Sequence, residues 1–99
     1  MANNQPPNSF SLVPMCADLL HRGHLNILKY SRSLEVPVKV LLMTDQAMIS
    51  YKCAPLMDYE QREEMLLITN MVDEIIRCDG PQFYKKFILD LRPLYFVHG

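Results

Sequence analysis

The sequence lacks the features that mark several large classes of protein. Ten Lys and Arg residues against eleven Asp and Glu residues leave a net charge of -1, so no whole-molecule field favours polymeric nucleic acid or a membrane surface. Its longest apolar runs, such as 40–43, are far shorter than the roughly 20 residues of a membrane span. With 49% hydrophobic residues and nearly balanced charge, the composition also excludes a disordered chain.

Cysteines are few, and a targeting segment is not evident. Cys16, Cys53 and Cys78 are odd in number and form no CxxC pair, which argues against both a disulfide framework and a zinc site. The first residues, MANNQPPNS, lack the basic and apolar regions of a secretory signal, so a cytoplasmic location is expected. Their polarity and paired prolines predict a flexible arm over 1–9, followed by a domain over 10–99.

Hydrophobic patterning predicts strands that alternate with helices. The expected strands are Phe10–Met15, Val38–Met43, Asp73–Arg77 and Leu94–Val97, and the expected helices are Gly23–Leu34, Tyr59–Met71 and Pro81–Leu91. Gln46–Met57 has no clean period and is expected to be a loop, although Ala47 to Ile49 would suit a short helical turn. The order β-α-β-α-β-α-β predicts an α/β, Rossmann-like, doubly wound parallel sheet with ligands beyond the carboxyl ends of its strands.

The first β-α loop carries the most suggestive residues. His21 and His24 lie three residues apart, with Gly23 between them, where a helix is expected to begin. Helix N-termini attract phosphate, and two imidazoles there can donate hydrogen bonds to phosphoryl oxygens as charge builds in a transition state. A helix cap with a packed neighbour is the simpler alternative. A metal site is less favoured, because HRGH is not the HExxH zinc signature and no further ligand is placed to complete a site.

Several segments together resemble one family. ADLLHRGHLNIL is similar to the HxGH signature of the nucleotidyltransferase superfamily that includes the cytidylyltransferases. Met43-Thr44-Asp45, the segment SYKCAPLMDYEQR and the terminal Val97-His98-Gly99 resemble other motifs of that family. The combined pattern is most similar to cytidylyltransferase domains associated with phosphonate metabolism and phosphoenolpyruvate mutase, and it covers roughly residues 11 to 99.

The resemblance implies transfer of CMP from CTP to a phosphonate or phosphorylated alcohol, such as 2-aminoethylphosphonate, with release of pyrophosphate. It implies Rossmann-like topology cut off before the last strand and helix, so that the domain is C-terminally incomplete. An ATP-dependent adenylyltransferase and a catalytically incomplete nucleotide-binding fragment are the alternatives. The expected partners are small molecules, and a homodimer is left open.

The same resemblance assigns roles to individual residues. The expected catalytic residues are His21, His24 and Lys52. The expected nucleotide-binding residues are Cys16, Ala17, Asp18, Gly23 and His98. Arg62 is expected to hold phosphate or the acceptor, and Asp18 is expected near a Mg²⁺ ion that accompanies CTP. Asn70 departs from the family, which often has a basic residue near the end of that helix.

Overall fold

The computed structural model describes residues 8–98, which form a four-stranded parallel sheet with helices on both faces. The strands are β1 (Ser11–Met15), β2 (Val38–Met43), β3 (Glu74–Cys78) and β4 (Tyr95–Phe96). The helices are α1 (Arg22–Ser33), α2 (Asp45–Tyr51), α3 (Tyr59–Ile68) and α4 (Tyr84–Leu91), the last preceded by a 3₁₀ turn over Pro81–Phe83. The expected α/β Rossmann-like architecture is confirmed, whereas most of the expected arm, 1–7, and Gly99 lie outside the described residues.

The strand order is β3-β2-β1-β4, with every pairing parallel. The chain runs outward from β1 through β2 to β3 and then returns to the other side of β1 with β4. Ser11 and Leu12 of β1 pair with Tyr95 and Phe96 of β4. The direction of winding therefore reverses between β1 and β4, and in sheets of this kind a ligand crevice opens at the carboxyl ends of the strands at that point.

Successive residues of the strands supply two separate apolar cores. Val13 of β1 and Leu42 of β2 pack with Leu28 of α1 and Leu66 of α3 on one face. The opposite core contains Phe10, Leu12, Leu41 and Cys78, packed against Tyr84, Phe87 and Leu91 from α4 and its start. Because side chains of a strand point alternately to the two faces, neighbouring residues such as Leu41 and Leu42 belong to different cores. The sheet is thus covered by helices on both sides.

The expectation that Gln46–Met57 is a loop is wrong in its first half, where α2 forms. Thr44 caps this helix, since its hydroxyl accepts a hydrogen bond from the Ala47 amide at 3.2 Å. Ala47 and Met48 are buried and pack with Met43, the last residue of β2. The threonine cap and the burial of Ala47 and Met48 stabilise this helix of seven residues against the sheet.

The helix α3 and the strand β3 also differ from their expected bounds. The α3 helix ends at Ile68 rather than Met71, because Asn70 adopts a left-handed conformation with φ of 59°. The β3 strand begins at Glu74 rather than Asp73 and ends at Cys78 rather than Arg77. Asp73 joins β3 to the start of β2, because its carboxylate accepts a hydrogen bond from the Val38 amide at 2.7 Å. Among residues 8–98, no helix is long and apolar enough to cross a membrane.

Candidate functional site

The loop that leaves β1 is held in a strained conformation. Ala17 and Leu19 both have left-handed backbone angles, with φ of 55° and 60°. For residues that carry a Cβ, this conformation costs about 1–2 kcal/mol each. Contacts with the rest of the protein must therefore fix this loop, which leads directly into His21 and α1.

Asp18 provides the first of these contacts. Its two carboxylate oxygens accept hydrogen bonds from the backbone amides of Leu56 and Met57, each at 3.0 Å. The bond from Leu56 is the largest reason that the pKa of Asp18 lies below its ordinary value. The carboxylate therefore ties the loop after β1 to the segment that precedes α3.

Arg62 provides the second contact from inside the protein, where its side chain is fully buried. Its Nε donates to Met57 O at 3.0 Å, its Nη1 donates to Cys16 O and Met43 O at 2.8 and 2.7 Å, and its Nη2 pairs with Asp45. One guanidinium thus joins the carboxyl ends of β1 and β2 to the start of α3. The expected role of Arg62 in binding phosphate does not fit this position, because its donors are directed to protein oxygens.

The two histidines form a reciprocal cap on α1. Nδ1 of His21 accepts from the Gly23 amide at 3.0 Å, and Nδ1 of His24 accepts from the His21 amide at 3.2 Å. A ring nitrogen that accepts a hydrogen bond carries no proton, so each neutral imidazole carries its proton on Nε2. The ring centroids lie 4.2 Å apart. The cap therefore fixes the tautomer of both rings, and the capping role and the chemical role are compatible.

Gly23 is required by the position of the His21 ring. A Cβ on residue 23 would lie 2.8 Å from Cε1 and 3.1 Å from Nδ1 of His21. The first of these distances is shorter than van der Waals contact allows, so the ring would have to move. Gly23 therefore permits the close approach between the helix backbone and the imidazole.

Lys52 reaches the same place from the end of α2, which it caps by donating its backbone amide to Met48 O at 2.8 Å. Its side chain lines a cleft at the β1–β4 switch point, formed by two adjoining hollows of about 480 and 340 Å³. Cys16, His21, His24 and Lys52 line both hollows. Residues from β1, α1 and α2 thus converge on one space, as the sequence predicted for His21, His24 and Lys52.

The remaining expected site residues divide into two groups. Gly23 and His98 line the larger hollow, and Asp18 lines the smaller one. Ala17 is fully buried in the core, so only its backbone shapes the loop. The structure therefore assembles most of the predicted set around the cleft, with Arg62 and Ala17 behind it.

Two tyrosines belong to the cleft without having been predicted there. Tyr51 at the end of α2 and Tyr84 at the start of α4 both line the larger hollow. Tyr84 packs edge-on against Phe96 of β4, with ring centroids 5.9 Å apart, and burial raises its pKa to about 12. Tyr51 and Tyr84 are far apart in the sequence, and the fold brings both to the same hollow. No spacing in the sequence signals this arrangement.

The electrostatics of the cleft favour a neutral His24 beside a positive charge. Burial is the main cause that lowers the pKa of His24, and the charges of His21 and Lys52 lower it further. The pKa of the Cys16 thiol is raised chiefly by burial, against the opposing charges of Lys52 and Arg62. The cleft therefore offers imidazole N–H donors and an ammonium group, an arrangement suited to phosphate oxygens.

A wider hollow of about 960 Å³ lies elsewhere, between α3 and β3. Its polar lining includes Asp58, Glu60, Glu63 and Glu64, with Arg77 as a basic group. Such a concentration of carboxylates repels a polyanion. Size alone therefore does not identify the site for an anionic ligand, and the smaller cleft has the suitable chemistry.

The described residues do not fit a Mg²⁺ ion held by the protein. Within 8–98, no three His, Cys, Asp or Glu side chains are grouped so that they could hold a metal. Asp18, the expected ligand, already accepts backbone hydrogen bonds on both oxygens. Its position is explained by its role in fastening the loop.

Comparison with known proteins points to one family. A family model described as cytidylyltransferase-like matches residues 12–99. Ethanolamine-phosphate cytidylyltransferase of Arabidopsis thaliana is 32% identical over 89 residues, which cover 85% of this chain and 21% of that protein. The proteins of the same name from Dictyostelium discoideum and Mus musculus are 28% and 31% identical, over 88% and 85% of this chain and over 24% and 21% of their own lengths.

The fold also matches a solved structure. The crystal structure of the lipopolysaccharide core biosynthesis protein from Thermoplasma volcanium GSS1 superposes with a TM-score of 0.78, at 22% identity, over 89% of this chain and 71% of that one. At this identity the likeness concerns the fold. The chain spans only about a fifth to a quarter of the length of the curated relatives it matches.

Proposed function

Because the chain belongs to the cytidylyltransferase-like family, we propose that its cleft binds CTP and transfers CMP to an acceptor that carries a phosphate or phosphonate. The observation that carries this proposal is the fixed pair of imidazoles, His21 and His24, facing the same hollows as Lys52. Because the matched relatives are named ethanolamine-phosphate cytidylyltransferases, ethanolamine phosphate should be tested as an acceptor together with 2-aminoethylphosphonate.

In the proposed reaction, an acceptor oxygen attacks the α-phosphorus of CTP. A new oxygen–phosphorus bond forms while the bond to the β-phosphate oxygen breaks, and pyrophosphate leaves with that electron pair. The acceptor needs no general base, because the second pKa of a phosphate monoester is about 6 and the oxygen is already anionic near neutral pH. Catalysis then depends on holding two anions in line and on stabilising the charge of the transition state.

The residues of the cleft would have different roles in this reaction. Nε2–H of His21 and of His24 would donate to phosphoryl oxygens, since Nδ1 of each ring is occupied by the helix cap. Lys52 would place a positive charge between nucleotide and acceptor. Mg²⁺ belongs to the proposal only as a companion of the triphosphate, and no step is assigned to it because the described residues provide no ligand set.

The role of His24 can be tested with two variants of opposite design. His24→Asn retains an acceptor near the position of Nδ1, so the cap on the His21 amide can persist, but it removes the donor at Nε2. His24→Gln extends an amide toward the position of Nε2 while giving up the cap. We expect His24→Asn to lose CMP transfer and His24→Gln to retain more of it.

Product formation should be followed by phosphorus NMR, with CTP or ATP as the donor and ethanolamine phosphate or 2-aminoethylphosphonate as the acceptor. Thermal unfolding of each variant controls for folding. Equal transfer by wild type and His24→Asn would contradict the role of the imidazole donor. Transfer from ATP in preference to CTP would replace the proposal with an adenylyltransferase, and CTP binding without transfer to either acceptor would favour a nucleotide-binding module.

A further inference from the structure

Two thiols lie at the smaller hollow of the cleft, and the proposed reaction uses neither. Cys16 follows β1 directly and is half-buried, whereas Cys53 follows Lys52 and is exposed. Both line the hollow of about 340 Å³, together with His21, His24 and Lys52. We propose that Cys16 and Cys53 are a reversible oxidation site, at which an intramolecular disulfide closes this part of the cleft.

The loops that carry the two cysteines are already fastened to one another. Asp18, two residues after Cys16, accepts the Leu56 and Met57 amides at 3.0 Å each. Arg62 donates to Cys16 O at 2.8 Å and to Met57 O at 3.0 Å. These contacts keep the segment after Cys53 beside the segment after Cys16, so a disulfide would add a covalent link where hydrogen bonds already join the loops.

The segment around Cys53 is the part of the chain that would adjust to form the disulfide. A disulfide requires Cα atoms about 4.4–6.8 Å apart and suitably directed Cβ atoms. Residues 53–55 belong to neither a helix nor a strand, and Lys52, Cys53 and Ala54 are exposed. Cys16 makes a weak contact of 3.9 Å with Met43 Sδ, which rotation of its side chain can exchange. The exposed partner can thus move toward the one fixed by the sheet.

Oxidation by a small disulfide such as oxidised glutathione balances in two exchange steps. The Cys53 thiolate attacks one sulfur of the oxidant, which forms a mixed disulfide and releases one glutathione thiolate. The Cys16 thiolate then attacks Sγ of Cys53 and releases the second. The two protons lost by the protein thiols are taken up, through solvent, by the two released glutathione thiolates. Two protein thiols thus become one disulfide, the oxidant is reduced to two glutathione molecules, and a small thiol reverses the reaction.

The disulfide would fill part of the hollow and draw Cys53, together with its neighbour Lys52, toward the end of β1. The consequence for CTP rests on the proposed function, whereas formation of the disulfide does not. We therefore expect oxidation to abolish CTP binding and dithiothreitol to restore it.

Trypsin separates the three cysteines, because its cleavage sites place Cys16 in peptide 1–22, Cys53 in peptide 53–62 and Cys78 in peptide 78–85. The native chain would be treated with oxidised glutathione, its remaining thiols alkylated, and the digest analysed by mass spectrometry without reduction. We expect a cross-link between peptides 1–22 and 53–62. Cys78 is buried and should serve as the unoxidised internal control. Cys53→Ser should prevent both the cross-link and the effect on CTP, with calorimetry measuring CTP binding before and after oxidation.

The outcomes separate this proposal from the proposed function. Glutathione that stays on Cys53, or a covalent dimer through Cys53, would overturn the oxidation site. A cross-link that leaves CTP affinity unchanged would overturn its control of the cleft. If the reduced chain does not bind CTP, the proposed function fails, while the cross-link alone still decides whether the two thiols form the oxidation site.

Discussion

A Cβ atom on Gly23 would lie 2.8 Å from Cε1 of His21, so the imidazole occupies space that exists only because residue 23 has no side chain. The same ring accepts the Gly23 amide through Nδ1. The direction in which Nε2 of His21 points is therefore fixed by the conformation of the first turn of α1. A substitution at Gly23 should affect the function of the cleft more strongly than it affects the stability of the fold.

We expect Gly23→Ala to weaken CTP binding and transfer strongly while changing the free energy of unfolding by no more than about 1 kcal/mol. Loss of the His21 cap lowers the free energy of unfolding by about 1 kcal/mol, but the higher helix propensity of alanine raises it by a similar amount. Calorimetry with CTP and urea unfolding measure the two effects. Asn26→Ala, at an exposed position on the same helix, is the matched control and should retain CTP binding. Wild-type affinity in Gly23→Ala would show that the placement of His21 does not matter.

Arg62 should be important for stability, because its side chain is buried among three backbone carbonyls and Asp45. Lysine keeps the charge but cannot reproduce the planar set of donors. We expect Arg62→Lys to lower the free energy of unfolding by about 3 kcal/mol, measured by urea unfolding, because buried carbonyls lose their partners. Arg77→Lys is the matched control at an exposed arginine and should cost less than about 1 kcal/mol. A similarly small loss in Arg62→Lys would refute the structural role.

These residues also show what could be predicted from the sequence. The parallel sheet and the positions of His21 and His24 follow from hydrophobic patterning and from a motif at the start of a helix. The position of Lys52 agreed with the family resemblance. Such features are local in the chain, or they follow from general rules of α/β topology.

Burial of Arg62 could not be predicted in this way, because arginine is rarely fully buried and its partners lie 5 to 46 residues away. Tyr84 reaches the cleft from α4 and Tyr51 from α2, so their presence in the same hollow depends on tertiary packing. The α2 helix was missed although Thr44 is a good cap, because only Ala47 and Met48 form its buried stripe. Short elements that are stabilised by the sheet leave little periodicity to detect.

Asp18 should make stability depend on pH in the acid range. Its pKa is held below the ordinary 3.8, first by the Leu56 amide and also by the Met57 amide. The stabilisation is therefore fully present above pH 3.8 and is lost as the pH falls through the lowered pKa. We expect Asp18→Asn to unfold at lower urea concentration than wild type at pH 7, and the difference to shrink under strongly acidic conditions.

The control for Asp18 is Asp90→Asn, which removes an exposed carboxylate paired with Lys86 on α4. An exposed pair of this kind contributes little, so this variant should follow the wild type at pH 7. A difference between Asp18→Asn and wild type that persists undiminished in acid would show that the carboxylate is not the group responsible.

The neutral form of His24 is favoured by the fold, and this can be measured directly. Burial lowers its pKa from the ordinary 6.5, and the charges of His21 and Lys52 lower it further. The unfolded chain therefore takes up this proton at higher pH, so the contribution of His24 to stability falls as the pH drops below 6.5. We expect the NMR titration midpoint of His24 to lie below 6.5 and to rise in Lys52→Met, whereas Lys29→Met, at an exposed position on α1, should leave it unchanged. A midpoint that does not respond to Lys52→Met would contradict the electrostatic effect of the ammonium group on His24.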